Sequence, residues 1–366
     1  MKSSLIIGAL TALSLVSACK KKDEGGAATG SGGSSATTTP TTTTPPPANG
    51  PVTLNASGST FQKAYQEQAI ESFTKANGTI KINYGGGGSG KGRQDLADGV
   101  IDFAGADSPY KDADLSKNKG GDVLYFPILL GPITVSYNVD GADKLQLSAA
   151  TVAGIFERDI KKWNDPKIVA DNPGVKLPDT EIVVVHRADG SGTTDNFTKY
   201  LEKAAGDAWK LKSGSTVEWP ADTQAGQGNS GVAQVVKSTA GAIGYVDLSD
   251  AKASGLHYAS IKNQGGKYVE PTADSASAAG DGIDVKDNLL FSALDAKGDS
   301  SYPITYQSWV IVYAKQTDHA KGTALKSYLK YLLVDAQPGL KELDFAPLPK
   351  SLADKAVAQL DKIQVP

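Results

Sequence analysis

The chain has 366 residues, and 40% of them are hydrophobic, which is enough apolar material for a buried core. Its 37 Lys and Arg against 40 Asp and Glu give a formal net charge of -3, which argues against a general nucleic-acid binder. One Cys and three His exclude a disulfide framework and a usual zinc site, and the length accommodates two domains.

The N-terminus has the pattern of an export signal. A positively charged start precedes an apolar run over residues 5–16, which is too short to span a bilayer as a mature helix. The single Cys, Cys19, follows small residues, and this arrangement resembles the lipobox of bacterial lipoproteins, in which that Cys is lipidated. An incidental Cys after an ordinary signal peptide is the alternative. We expect residues 1–18 to be a signal peptide and Cys19 to carry lipid.

Residues 19–50 have a different composition from the rest of the chain. After Cys19 they contain mainly Gly, Ser, Ala, Thr and Pro, with almost no large apolar side chain. Such a segment cannot bury a core, so we interpret it as a flexible tether. Signal, anchor and tether together predict an extracytoplasmic domain, in a periplasm or at a cell surface, that is held close to a membrane by its lipid.

From Pro51 onward, strand-like and helix-like segments alternate. The hydrophobic spacing predicts a strand over 54–59, a helix from 60 to Asn77, a strand over 79–84, a short helix that carries Leu96, Ala97 and Val100, and a strand over 101–106. Alternation of this kind predicts an α/β fold with a largely parallel sheet.

Two long alternating runs, 126–138 and 302–313, lie far apart and look alike. A chain that leaves one domain by the first run and returns by the second would have a discontinuous first domain, 51–138 plus 301–366, around an inserted second domain, 139–300. Two unrelated buried strands are the alternative.

Two loops of small residues precede predicted helices. Ser59 and Thr60 lie at the start of the first helix, where they could simply form an N-terminal cap. The segment 85–92 fits the spacing of a P-loop, but Gly92 stands where a magnesium-binding Ser or Thr is required. We interpret this second loop as an anion cradle without catalysis, with Ser89 at the start of a helix.

A third loop follows the β-run that ends at Arg187. The planar guanidinium of Arg187 suits two oxygens of a tetrahedral oxyanion, and Asp189 is placed to pair with it. Ser191 and Thr193 bring hydroxyl and N–H groups, while Gly192 permits close approach of the backbone. A surface Arg–Asp pair beside an ordinary helix cap is the alternative.

Taken together and in order, these loops resemble the substrate-binding protein of the bacterial high-affinity phosphate ABC transporter. The similarity extends over nearly all of residues 51–366, and its most specific string is Arg-Ala-Asp-Gly-Ser-Gly-Thr over 187–193. The other matching segments are 58–61, 83–89, 100–109, 160–165, 214–220 and 241–246. The resemblance implies a two-domain periplasmic-binding-protein fold, type II-like, with two hinge strands and a ligand cleft between the domains.

The resemblance also implies the residues of a phosphate site. The implied contacts are Thr60, Phe61, Ser89, Asp107, Arg187, Ser191, Gly192 and Thr193, with Ser59 and Asp189 in supporting positions. Asp107 would be the acidic contact, because phosphate near neutral pH still carries a proton that a carboxylate can accept, whereas sulfate does not. A helix N-cap is the alternative role for Asp107.

We therefore expect a monomer that captures inorganic phosphate reversibly and delivers it to an ABC permease, without catalysis, metal or cofactor. An exported phosphatase or other hydrolase is one alternative, although the three His have no catalytic spacing. A binding protein for another oxyanion such as sulfate, or an adhesive lipoprotein, is a further alternative. Three residues depart from the family pattern: Gln62, Lys91 and His186. Many members of the family carry Pro at the position of Gln62.

Overall fold

The structure is a computed structural model that describes residues 50–366. Its strands are β1 Val52–Gly58, β2 Ile80–Gly86, β3 Phe103–Ala106, β4 Val123–Asn138, β5 Gln146–Leu147, β6 Val183–Arg187, β7 Gln224–Gly226, β8 Ala242–Asp247, β9 His257–Tyr258, β10 Ser260–Lys262, β11 Tyr268–Val269 and β12 Thr305–Tyr313. Its α-helices are α1 Lys63–Ala76, α2 Ser89–Ala97, α3 Asp112–Leu115, α4 Ala149–Phe156, α5 Pro166–Asp171, α6 Gly192–Ala204, α7 Gly228–Ser238, α8 Leu248–Ala253, α9 Ala273–Gly280, α10 His319–Leu333 and α11 Lys350–Gln359. Short 3-10 helices span Gly206–Ala208, Gln337–Leu343 and Leu360–Lys362.

A nine-stranded mixed sheet organises the fold. Its order is β2-β1-β3-β12-β4-β8-β6-β7, and β9 pairs with β4 outside this path. The strands β1, β2 and β3 are mutually parallel, as are β6, β7 and β8, whereas β12 and β4 run antiparallel to their neighbours. The strands β11, β10 and β5 form a small second sheet. Helices alternate with the parallel strands, as the hydrophobic pattern predicts, but the sheet is mixed rather than largely parallel, because β4 and β12 run antiparallel to their neighbours.

Strand β4 joins two halves of the large sheet. Its residues 123–132 pair with β12, and its residues 133–138 pair with β8. Nearly all of β4 is buried, because its apolar run is covered on both faces. The two long runs that look alike in the sequence are β4 and β12, which lie side by side as antiparallel neighbours.

One predicted element differs in its end. The helix predicted to carry Val100 is α2, and it ends at Ala97. Gly99 has φ 71°, a left-handed conformation that ends the helix, and Val100 beyond it is 65% exposed. The prediction was wrong for Val100 and right for Leu96, which is fully buried.

Several parallel strands end in loops that begin helices. Strand β1 leads to α1, β2 to α2, β6 to α6 and β7 to α7. Because the carboxyl ends of parallel strands lie at one edge of a sheet, these loops meet at that edge within each half. Within residues 50–366, no helix combines the length and apolar character needed to cross a bilayer.

Candidate functional site

The carboxylate of Asp107 is the centre of the site. Asp107 directly follows β3 and is 1% exposed. Its Oδ2 atom accepts hydrogen bonds from the hydroxyls of Ser59, at 2.7 Å, and Ser89, at 3.0 Å. Its Oδ1 atom accepts a hydrogen bond from the hydroxyl of Ser308, at 2.5 Å. A buried carboxylate is thus satisfied by neutral donors rather than by an ion pair.

Two of these hydroxyls have a fixed direction. The Ser59 oxygen accepts the N–H of Phe61 at 3.1 Å, and the Ser89 oxygen accepts the N–H of Asp107 itself at 3.1 Å. Because a hydroxyl carries one proton, each serine then has that proton to give to the carboxylate. These bonds favour the ionised form of Asp107.

Opposing effects act on the protonation of Asp107. Burial raises the pKa of its carboxyl, whereas the hydroxyl donors Ser308, Ser59 and Ser89, followed by the positive charge of Arg187, lower it. Burial is the larger effect, so the pKa lies above the ordinary value of an aspartate. The hydroxyl donors thus offset part of the effect of burial on the ionised form of Asp107.

The helix-cap alternatives for Asp107 and Thr60 are wrong. Helix α3 begins at Asp112, after Lys111, so Asp107 caps no helix. The N-cap of α1 is Gln62 rather than Thr60. Both residues are therefore free of the structural role that the sequence left open.

Ser89 and Ser191 lie at the starts of helices. Ser89 is the first residue of α2, and Ser191 is the N-cap of α6, where its hydroxyl accepts the N–H of Thr194 at 3.0 Å. The positive ends of these two helices lie next to the carboxylate of Asp107. Such helix ends stabilise negative charge.

Gly192 brings the start of α6 against Asp107. A Cβ atom at Gly192 would lie 2.4 Å from the Ser89 Oγ and 2.6 Å from the Asp107 Oδ2, so no side chain fits. Nearby, the N–H of Gly90 donates to the carbonyl of Gly190 at 2.8 Å. The glycine-rich loop after β2 and the loop after β6 are therefore in direct contact.

Arg187 forms the second charged part of the site. It is 4% exposed, and its Nε and Nη2 atoms donate to the two oxygens of Asp189 at 2.8 and 2.5 Å. Its Nη1 atom donates to the side-chain oxygen of Asn229 at 2.7 Å and lies 3.5 Å from the Thr193 hydroxyl. Burial raises the pKa of Asp189, but the hydrogen bonds and charge of Arg187 lower this pKa by more, so it lies below the ordinary value.

Asn229 is a residue that sequence reasoning missed. Its side-chain amide donates to the Asp247 carboxylate at 2.7 Å, and its backbone N–H donates to the Thr60 hydroxyl at 3.3 Å. It thus connects Arg187 to the loop after β1. The only sequence signal is the Gly-Gln-Gly turn before α7, where Gly228 has φ 68°.

Two aromatic residues, Phe61 and Tyr306, pack together beside the polar groups of the site. Phe61 is 1% exposed and its ring centroid lies 4.0 Å from that of Tyr306. The Tyr306 hydroxyl lies 3.3 Å from the Thr193 hydroxyl. The Phe61 ring thus packs on Tyr306, while the Phe61 N–H donates to the Ser59 hydroxyl at 3.1 Å.

The residues that depart from the family pattern have different surroundings. Lys91 forms an ion pair with Asp95 of its own helix at 2.7 Å, and over half of its side chain is exposed. His186 stacks on Trp219 with centroids 5.1 Å apart, and burial lowers its pKa. Gln62 points into the core.

The structure thus brings the sequence-predicted residues to one region. One group of contacts is centred on Asp107 and includes Ser59, Ser89 and Gly192. A second group is centred on Arg187 and includes Asp189, Thr193 and, through Asn229, Thr60. Next to these groups lie Phe61 and Ser191. Cavities of about 400 Å³ flank the region, one lined by Thr60 and Phe61 and another by Asp107.

Comparison with known proteins gives the family. The chain matches the PBP superfamily domain over residues 33–336. It is 36% identical over 315 residues to the phosphate-binding protein PstS of Xylella fastidiosa, and the match covers 84% of each chain. It is 34% identical over 313 residues to PstS of Pasteurella multocida, with 84% of this chain and 89% of the relative covered. The chain belongs to the PstS family of phosphate-binding proteins.

Solved structures agree with the predicted architecture. A high-affinity periplasmic phosphate-binding protein, PfluDING, solved with bound phosphate, superposes with a TM-score of 0.71. The match covers 84% of this chain and 94% of the other at 20% identity, so it bears on the fold alone. The predicted fold class, an α/β two-domain periplasmic-binding-protein fold, is confirmed. The PstS relatives are named as binding proteins, not as enzymes.

Proposed function

We propose that this chain binds inorganic phosphate outside the cytoplasmic membrane and delivers it to an ABC permease. The observation that carries the proposal is the buried carboxylate of Asp107, which accepts hydrogen bonds from hydroxyl groups. Two helix starts and the buried guanidinium of Arg187 lie in the same region. Kinship with proteins named phosphate-binding protein PstS supports the same ligand. We propose reversible binding without hydrolysis.

The proposed ligand contacts are Thr60, Phe61, Ser89, Asp107, Arg187, Ser191, Gly192 and Thr193, with Ser59 and Asp189 supporting them. Peptide N–H groups at helix starts and the guanidinium would stabilise the negative oxygens. The carboxylate of Asp107 would accept the proton of a phosphate O–H. A fully deprotonated oxyanion has nothing to donate to that carboxylate, so contact would leave two negative groups facing each other.

Domain closure would accompany binding. We propose that residues 51–138 with 301–366 form one domain and 139–300 the other, joined by chain crossings near Asn138 and Ser301. The proposed contacts come from both sides, and the Gly90–Gly190 hydrogen bond links loops of the two. A ligand that bridges both domains favours the closed form, which would then dock on the permease.

Location and anchoring are part of the proposal. The signal peptide 1–18, the lipidated Cys19 and most of the tether 19–50 lie outside the described residues. We propose that Cys19 carries lipid and that the chain acts as a monomer on the outer side of a membrane. Metabolic labelling with a radioactive fatty acid tests this, because Cys19→Ala is expected to abolish the label.

Calorimetric titration of the full chain in detergent tests the function. Phosphate is expected to bind with one site per chain, and sulfate to bind at least about 1,000-fold more weakly, since an unpaired buried group is costly. Equal affinity for sulfate, or no heat with phosphate, would overturn the proposal. We expect no phosphate release from a chromogenic phosphate ester under the same conditions.

A further inference from the structure

A buried hydrogen-bond chain leads to the Oδ1 atom of Asp107, whereas Ser59 and Ser89 donate to Oδ2. It begins at Ser308, which donates to the Asp107 Oδ1 atom at 2.5 Å. The Ser308 oxygen accepts a hydrogen bond from the Gln62 Nε2 atom at 2.7 Å. Both residues are fully buried. Gln62 occupies the N-cap of α1, yet its side chain makes no capping bond and is committed to the interior.

The direction of the Gln62 amide is set by its surroundings. The Gln62 Nε2 atom also lies 3.1 Å from the carbonyl oxygen of Trp309. A carbonyl can only accept, so the atom of Gln62 that faces it must be the amino nitrogen. The same nitrogen therefore donates to Ser308, whose single proton is left to point at Asp107.

The chain continues into the core with the same polarity. The Gln62 oxygen accepts from the Gln66 amide at 2.7 Å, and the Gln66 oxygen accepts from the Tyr328 hydroxyl at 2.6 Å. Gln66 and Tyr328 are fully buried. Burial raises the pKa of Tyr328 well above its usual range, so its phenol keeps the proton that it donates. We call Tyr328, Gln66, Gln62 and Ser308 the donor relay.

We propose that the donor relay determines the specificity of the site by holding Asp107 as an acceptor toward its ligand. This inference rests on the proposed function. Gln62, Gln66 and Tyr328 act as positioning residues, because they reach the ligand only through Ser308 and Asp107. The relay admits an oxyanion that carries a proton and rejects one that carries none.

The physical reason lies in the freedom of one hydroxyl. Without the Gln62 donor, Ser308 could turn and accept a proton from a neutral Asp107. A neutral carboxyl group no longer repels a fully deprotonated anion, so discrimination weakens. The other charged or titratable groups that act on Asp107 are Arg187, Tyr84 and Tyr306, and burial raises the pKa of both tyrosines well above their usual range.

The decisive variant is Gln62→Met, which keeps the length of the side chain and removes its hydrogen-bonding groups. Phosphate and sulfate affinities of the full chain are measured by calorimetry at one fixed pH. The ratio of phosphate to sulfate affinity is expected to fall about tenfold or more, because the variant frees Ser308 to turn from Asp107, and the Ser308 bond is one to a charged group. The matched control is Gln68→Met on the exposed side of the same helix, which is expected to leave the ratio unchanged.

A second set of variants separates the relay from simple packing. Ser308→Ala removes the donor to Asp107 directly and is expected to lower the same ratio. Because both changes act on the ratio through the Ser308–Asp107 hydrogen bond, the double variant is expected to be no less selective than Ser308→Ala alone. If the two losses add, Gln62 acts through packing and the inference is wrong. Should Gln62→Met fail to fold, Tyr328→Phe is expected to lower the ratio in the same direction by a smaller factor, and an unchanged ratio overturns the inference.

The outcomes distinguish the two proposals. If the unaltered chain binds no phosphate, the proposed function is wrong and the inference falls with it. If the unaltered chain selects phosphate and a folded Gln62→Met binds it with the same selectivity, only the relay is wrong.

Discussion

The two buried charges of the site are stabilised in different ways. Arg187 is held by a carboxylate, with both oxygens of Asp189 within 2.8 Å, and the pair is electrically neutral. The carboxylate of Asp107 is instead held by the hydroxyls of Ser59, Ser89 and Ser308. The region around the two charges therefore has no excess of positive charge with which to attract an anion. In the proposed site, an anion would therefore be stabilised by local donors, namely N–H groups at helix starts and the edge of the guanidinium.

The largest expected effect comes from the cationic side. Arg187→Ala removes N–H donors from a dry site and leaves the carboxylate of Asp189 without its partner. We expect phosphate affinity to fall at least about 100-fold by calorimetry. The control is Lys162→Ala, which breaks the exposed pair with Asp179 and is expected to leave affinity unchanged. Full affinity in Arg187→Ala would mean that N–H dipoles suffice.

The next effect comes from the anionic side. Asp107→Asn keeps the shape, but an amide offers a single acceptor oxygen and adds a donor. Phosphate affinity is expected to fall about tenfold or more, because Ser59, Ser89 and Ser308 can no longer all donate to it. Sulfate affinity is expected to rise relative to phosphate. A competition experiment between phosphate and sulfate measures both affinities. An unchanged preference for phosphate would show that the carboxylate of Asp107 does not discriminate between the two anions.

A smaller effect is expected at the residue that orients the guanidinium. Asn229→Ala removes the 2.7 Å hydrogen bond to Arg187 while the pair with Asp189 remains. We expect about tenfold weaker phosphate binding. Gln234→Ala, on the exposed side of the same helix, is the control and is expected to bind as the unaltered chain does. Equal affinities in both variants would show that Asp189 alone fixes the guanidinium.

The smallest effect is on stability. Burial, and then the charge of Asp250, raise the pKa of Asp247 well above its ordinary value. The folded chain therefore binds a proton that the unfolded chain releases above about pH 4, and the free energy of unfolding falls as pH rises toward the raised pKa. The slope is at most roughly 1.4 kcal/mol per pH unit. Asp247→Asn is expected to reduce the slope in denaturant titrations at several pH values, while the raised pKa of Asp107 still contributes to it; an unaltered slope would show that Asp247 is not its source.

Local patterns gave the three loops and most elements. Hydroxyl and glycine residues at helix starts, such as Ser89 and Gly192, are readable because a helix start is a short-range feature. Val100 lies outside α2 because Gly99 ends the helix, a break that hydrophobic spacing does not show. The boundaries of the two domains and the ligand contacts stay predictions.

The missing residues depend on distant contacts. Ser308 lies in the middle of β12 and meets Asp107 across 201 positions of sequence, so no local pattern reveals it. Gln62 appeared in the sequence only as a departure from a family pattern at a helix start. Its role emerges from the carbonyl of Trp309, which fixes the direction of the amide. Asn229 is similar, since its partners lie at the ends of β6 and β8 and in the loop after β1.

The shared strand β4 has a consequence for dissecting the molecule. Its two segments complete different halves of the sheet, so removing either half would strip one edge of this long apolar strand of its partner. An exposed edge of that kind pairs readily with other chains and promotes aggregation. The halves are thus unsuited to separate expression, and heat or denaturant should melt them as a single cooperative unit.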